Sequence, residues 1–127
     1  MSSAEKIRVI KVEPEKKAYV TEIEPGLRSL QAQVGGCIQA VYPYEDPVAI
    51  ICNEEGKLEG LPFCRAFRDE EGDIFDVLVG TFLISGIGDE EFCSLSDELA
   101  DKYLQMYLPP EICVRLGNKF VIIPDDE

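Results

Sequence analysis

The sequence predicts an α+β fold: a single compact domain, residues 1–127, on a largely antiparallel sheet of hairpins with two helices. Three observations carry the prediction. Short apolar segments of strand length alternate with turn-forming clusters of glycine, proline, asparagine and aspartate along most of the chain. Two stretches instead place apolar residues at helical spacing and stop at Gly35-Gly36 and Pro109-Pro110. Between those stretches, Val77 to Gly88 runs twelve residues without a charge, beside the densest acidic turn, Asp69-Glu70-Glu71-Gly72-Asp73. A membrane span needs about 20 apolar residues, so this run belongs in a core, and Thr81, Phe82, Ile84 and Ile87 among three glycines favour strand over helix.

In order, Lys6 to Val12 alternates polar with apolar except at Val9-Ile10 and reads as a half-buried strand. Glu13 to Lys17 turns it, and Ala18 to Ile23 returns. Pro25 opens a short helix with Leu27, Leu30 and Val34 on one face, and Gly35-Gly36 supplies its left-handed stop. Cys37 to Tyr42 and Val48 to Cys52 read as strands, separated by a loop that Pro43 and Pro47 hold out of any ladder. Asn53-Glu54-Glu55-Gly56-Lys57 and Asp69-Glu70-Glu71-Gly72-Asp73 share Asx-Glu-Glu-Gly, which suits a type I turn followed by a left-handed glycine, so both are expected to close hairpins. The second helix starts at Ser94 or Ser96, with Asp97 and Glu98 where the helix dipole favours anions, and buries Leu95, Leu99, Tyr103 and Met106 or Tyr107. Ile112 to Leu116 and Lys119 to Ile123 form a last hairpin over Gly117-Asn118, before the acidic tail Asp125-Asp126-Glu127.

Charge and composition narrow the chemistry. Residues 1–68 carry ten acids against nine bases, whereas residues 69–127 carry fifteen against three, so −12 of the net −13 lies in the second half. Such a surface repels phosphate backbones, and direct nucleic-acid binding is not expected. The chain opens without an apolar signal-like stretch, so neither membrane anchor nor secretion is expected and a cytoplasmic location is. Five scattered cysteines, odd in number and mostly inside apolar runs, read as buried free thiols. With no histidine the chain lacks the usual base for a hydrolytic triad and the usual partner for cysteine at zinc, and no cofactor is expected. Gly80, Gly86 and Gly88 miss the phosphate-cradle spacings, and Asp69 to Asp76 puts glycine fourth where a calcium loop needs it sixth. Arg65 and Arg68 are candidate carboxylate or phosphate binders, weighed against pairing with Asp69 and neighbouring acids. The acids Glu70, Glu71, Asp73, Glu90 and Glu91 are the candidate protein-facing set.

The segments Val34 to Tyr42, Ile51 to Lys57, Gly60 to Ala66 and Gly80 to Ile84 resemble, in order, a bacterial and phage family of short acidic proteins. That family is catalogued only as a domain of unknown function and is frequent in mobile elements. The resemblance spans about residues 7–107, with the C-terminal hairpin and tail, 108–127, outside it. It implies a cytoplasmic, non-catalytic role and no established site; the family pattern carries asparagine where this chain has Cys64. The expectation is therefore a protein-binding accessory module with an unidentified protein partner. The alternatives are an acidic DNA-mimic inhibitor of a DNA-handling protein, and a small-ligand protein or carboxylate enzyme using Arg65.

Overall fold

The computed structural model describes residues 6–69, 71–88 and 91–124, so Glu70, Asp89, Glu90 and the acidic tail lie outside the described residues. In chain order the elements are β1 (Ile7–Val12), β2 (Tyr19–Ile23), α1 (Leu27–Val34), β3 (Ile38–Val41), β4 (Val48–Asn53), α2 (Gly56–Glu59), β5 (Phe63–Arg68), β6 (Ile74–Val79), β7 (Phe82–Ile87), β8 (Phe92–Cys93), α3 (Asp97–Tyr107), β9 (Glu111–Leu116) and β10 (Lys119–Pro124). The main sheet has the order β2-β1-β7-β4-β3, with β8 added on β7, and each neighbouring pair is antiparallel. Its central strand, β7, comes from the uncharged run. Ile84 lies opposite Ile10 on one side and Ile50 on the other, a row of three side chains with no exposed surface.

The sheet is covered on both faces. Ile10, Val12, Val48, Ile50, Phe82 and Ile84 pack beneath Cys64, Phe67 and Leu78 of the β5–β6 hairpin and Ala100, Tyr103 and Tyr107 of α3. Val9, Ile51 and Leu83 point the other way and meet Leu30 and Val34 of α1. Each fully buried aliphatic side chain in these layers contributes about 1.5–3 kcal/mol relative to leaving it in water. The expectation of an α+β domain with antiparallel hairpins holds.

Several local expectations do not. β1 is not half-buried: Val9, Ile10 and Val12 are all enclosed, because layers cover both faces, and the Val9-Ile10 break in alternation was the sign of it. There are three described helices rather than two. The extra one, the single turn α2, stands where Asn53-Glu54-Glu55-Gly56-Lys57 was expected to close a hairpin. β4 and β5 belong to different sheets, so the chain must leave the sheet there instead of folding back. Asn53 manages the exit, accepting the Glu55 N–H at 2.8 Å and donating to the Val34 carbonyl at 3.3 Å. The second copy of the motif does close β5–β6, with Gly72 at φ 88° and the Asp69 carboxylate accepting the Glu71 and Asp73 N–H groups, both at 2.9 Å.

Leu27, expected on the buried stripe of α1, is 57% exposed: it borders an open cavity with Ile7, Ile38 and Phe92, and only Leu30 and Val34 of that stripe are buried. The cap of α3 is Ser96, which accepts the Leu99 N–H, while Ser94 accepts the Arg8 N–H instead. Met106 is exposed and Tyr103 and Tyr107 form the buried stripe. The reading of the thiols as buried holds for Cys64 alone: Cys37 and Cys113 are exposed and Cys52 and Cys93 half-buried. Cys37 precedes β3, Cys93 lies on the two-residue strand β8 and Cys113 on the uncovered hairpin, where one side stays in solvent, and Cys52 faces a cleft.

Candidate functional site

The C-terminal hairpin forms as the sequence predicts, with Leu116 opposite Lys119 and Ile112 opposite Ile123. Strand alternation puts Ile112, Val114, Leu116, Val121 and Ile123 on one face. Among the described residues no layer covers that face: Ile112, Leu116, Val121 and Ile123 are 39, 60, 37 and 43% exposed. The hairpin is an arm, attached at its Glu111 end and bare toward its turn. A two-stranded hairpin alone is marginally stable in water, so its root needs anchoring.

Glu111 supplies the anchor. One carboxylate oxygen accepts the Ala66 N–H of β5 at 2.8 Å and the other meets the Arg68 guanidinium at 2.9 Å, with Glu111 itself buried. Arg68 therefore pairs with Glu111, not with Asp69 as its neighbourhood suggested. Arg65 is 1% exposed and pairs with no carboxylate among the described residues. Its guanidinium donates to the carbonyls of Tyr107 at 3.1 Å, Cys64 at 2.9 Å and Lys16 at 2.7 Å. The first is an orphan acceptor of the last turn of α3, where the helix dipole also favours a cation. Burial lowers the Arg65 pKa, and burial pushes the Cys64 thiol up to about 12. Every donor nitrogen of Arg65 is thus engaged inside the protein, and the group is not displayed to an external anion.

Beside this root, burial raises the hydroxyl pKa values of Tyr44 and Tyr107, which hydrogen-bond each other. Asp46 accepts from Lys102 at 2.6 Å and from the Tyr103 hydroxyl at 2.7 Å, bonds that hold its carboxyl below the usual range. The Tyr103 pKa is raised by burial and by that same carboxylate.

A cleft of about 200 Å³ opens between β3–β4 and the β5–β6 hairpin, with Val41, Phe67 and Leu78 on its apolar side and Gln39, Cys52 and the Lys57–Asp76 ion pair on its polar side. The pair is 2.6 Å long and lowers the Asp76 pKa, while burial raises that of the Cys52 thiol. The cleft was not anticipated, because its residues come from five separate elements.

The acidic candidates do not gather in one element. Glu71 and Asp73 are exposed on the β5–β6 turn, and Glu91 is exposed beside β8; Glu70 and Glu90 lie outside the described residues. Among the described residues no group of three or more metal-ligating side chains is assembled. Among the described residues no helix is long and apolar enough to cross a membrane. The arm residues Ile112, Leu116, Val121 and Ile123 were read as strand but not as a site. The signal available was a hairpin with Ile112, Val114, Leu116, Val121 and Ile123 in alternation on one face.

The chain matches no curated protein and no solved structure. A family model, Domain of unknown function (DUF3846), matches residues 7–108 and so takes in the main sheet, both long helices and the β5–β6 hairpin that roots the arm. On that match the chain belongs to the DUF3846 family.

Proposed function

We propose that this chain is a non-catalytic protein-binding module that presents the apolar face of the β9–β10 arm to a protein partner. The observation that carries the reading is the arm: four branched aliphatic residues stand uncovered on one face of an anchored hairpin, in a chain of net charge −13. Uncovered apolar patches of this kind are characteristic of interaction sites. The resemblance adds a cytoplasmic accessory role in bacterial or phage mobile elements. The lack of histidine and the internal commitment of Arg65 support a role without catalysis.

The test is affinity capture from bacterial lysate with three baits: the wild type, an arm variant (Leu116→Ser with Val121→Ser) and an acid variant (Glu71→Gln, Asp73→Asn, Glu91→Gln). A protein held by the wild type and the acid variant but lost by the arm variant supports the reading. Equal capture by all three removes the arm from consideration. Loss by the acid variant alone transfers the contact to the acidic turns, as a DNA mimic requires, and affinity would then fall steeply with salt. A small-ligand role is the second reading, favoured by the cleft at Cys52. Slower alkylation of Cys52 in the presence of a small amphipathic molecule would support it.

A further inference from the structure

We infer that the cleft at Cys52 holds a small, flat, uncharged aromatic molecule whose rim carries a hydrogen-bond donor beside an acceptor, the chemistry of a free nucleobase or an aromatic amide. The inference rests on the small-ligand reading of that cleft and names the class of ligand.

Strand register explains why space is left there. Gln39 lies opposite Cys52 and Val41 opposite Ile50, so Gln39, Val41 and Cys52 share the face of the main sheet that the β5–β6 hairpin covers. On the hairpin Phe67 lies opposite Asp76, and alternation puts Asp76 and Leu78 on one side of β6. Leu78 and Phe67 are enclosed, whereas Asp76, the next residue on that side, is exposed. The two layers part there and leave a slot of about 200 Å³ over Gln39, Val41 and Cys52. An apolar cavity of about 150 Å³ accepts benzene, so this slot accommodates one ring with a small polar substituent. Backbones of packed sheets lie roughly 10 Å apart, and the space between such layers suits a flat ring.

The polar groups at the slot have unused bonding capacity. Both bonds to the Asp76 carboxylate, from Lys57 Nζ at 2.6 Å and from the Val77 N–H at 2.8 Å, fall on Oδ1, so Oδ2 remains an acceptor. The Lys57 ammonium makes one bond and keeps further protons to donate. The Gln39 side-chain amide makes no hydrogen bond among the described residues. A ligand with donor and acceptor side by side answers this set. Val41, Phe67 and Leu78 supply the apolar walls, and Leu58, 88% exposed at the mouth, gains cover when a ring enters.

Charge decides against ionic ligands. Lys57 and Asp76 neutralise each other, and the other charged residue lining the cleft is Glu54. An anion meets both acids in a chain of net charge −13. A cation has to compete with Lys57 for Asp76, and Glu54 is exposed to water, where an ion pair contributes little. A neutral ring bonds to the Lys57–Asp76 pair without breaking it.

The experiment titrates the full chain with five one-ring probes, benzamide, cytosine, benzoate, benzylamine and toluene, each to about 10 mM, against an expected Kd of about 1 mM for so few atoms. Binding is followed by amide NMR and by the alkylation rate of Cys52, which serves only as a reporter. Benzamide and cytosine should move the Gln39 side-chain signals and the Val41 and Leu78 backbone signals. They should slow alkylation of Cys52 about tenfold at that occupancy and leave exposed Cys37 unaffected. Benzoate and benzylamine should bind at least about tenfold more weakly. Gln39→Met keeps the length of the side chain and should weaken benzamide about fivefold, the loss of one hydrogen bond. Lys57→Met with Asp76→Leu replaces an exposed pair and should weaken benzamide about tenfold without weakening toluene. Benzoate, benzylamine or toluene binding the cleft as tightly as benzamide overturns the ligand class and leaves the small-ligand reading standing. Failure of every probe to move these signals or protect Cys52 overturns both. Benzamide affinity unchanged by Gln39→Met and by the double variant places the probe elsewhere and overturns the inference.

Discussion

Replacing Arg65 with methionine keeps a straight apolar stem at a position 1% exposed and deletes all three of its carbonyl bonds. Where both partners of a buried ion pair can be exchanged for apolar groups, stability often survives. Here the partners are backbone carbonyls and cannot be exchanged. Each buried carbonyl left without a donor costs about 1–3 kcal/mol. The bonds to Tyr107 and Cys64 are buried and the one to Lys16 partly so, and methionine recovers some of the cost of burying a charge, so about 2–5 kcal/mol is the net expectation. With an unfolding entropy near 2.1 cal/mol/K per residue over 127 residues, that lowers Tm by about 8–19 °C. Arg65→Lys should fall between the two, because an ammonium lacks the planar fork that reaches carbonyls in three directions. Thermal unfolding at pH 7, followed by circular dichroism, measures all three proteins. A fall of less than about 4 °C for Arg65→Met, roughly 1 kcal/mol, would refute the view that the guanidinium holds the end of α3 to β5. Added phosphate should leave the wild-type Tm unchanged; a phosphate-dependent rise abolished by Arg65→Met would make Arg65 an anion site after all.

In native protein at pH 8 a thiol reagent should modify Cys37 and Cys113 rapidly and Cys64 only after unfolding, because Cys64 is enclosed and its pKa is pushed up to about 12; early modification of Cys64, read by mass spectrometry, would contradict the packing of β5. Asp46 titrates below its ordinary value of 3.8 in the folded state, so its contribution to stability is fully present above that value and is lost as pH falls through the lower folded pKa. Asp46→Asn should therefore flatten the fall in Tm below about pH 4, and an unchanged acid profile would show that Lys102 and Tyr103 do not hold the carboxylate. Gly86→Ala should cost about 1–3 kcal/mol by denaturant unfolding, since a Cβ there would stand 2.7 Å from the Ser94 carbonyl oxygen, and a neutral result would mean that the β8 backbone can move aside.

The arm shows where legibility in the sequence ended. Gly117-Asn118 between two alternating apolar runs was sufficient to place a hairpin and its register, because turn geometry couples the two strands locally. That its face stays bare was not available from the same pattern. Ile112, Val121 and Ile123 have the chemistry of Val9, Ile51 and Leu83; what differs is that α1 covers the latter and nothing described covers the former. The Cys52 cleft and the Glu111 anchor were equally out of reach, since each joins residues far apart in the chain.

The sequence by itself determined most of the strand segments, the two longer helices, the core placement of the uncharged run and the acidic turn, all of which follow from neighbours a few residues apart. Tertiary structure decided the rest, and the repeated Asx-Glu-Glu-Gly motif shows how. Around Asp69 it closes a hairpin with Gly72 left-handed, because β5 and β6 pair. Around Asn53 it becomes a helical turn that carries the chain from one sheet to another. Arg65 repeats the lesson at the level of one side chain: Asp69 lay four residues away, yet its acceptors include carbonyls 42 and 49 residues distant. A local motif specifies which conformations are cheap, and long-range packing, which encloses a donor or leaves a strand without a neighbour, chooses among them.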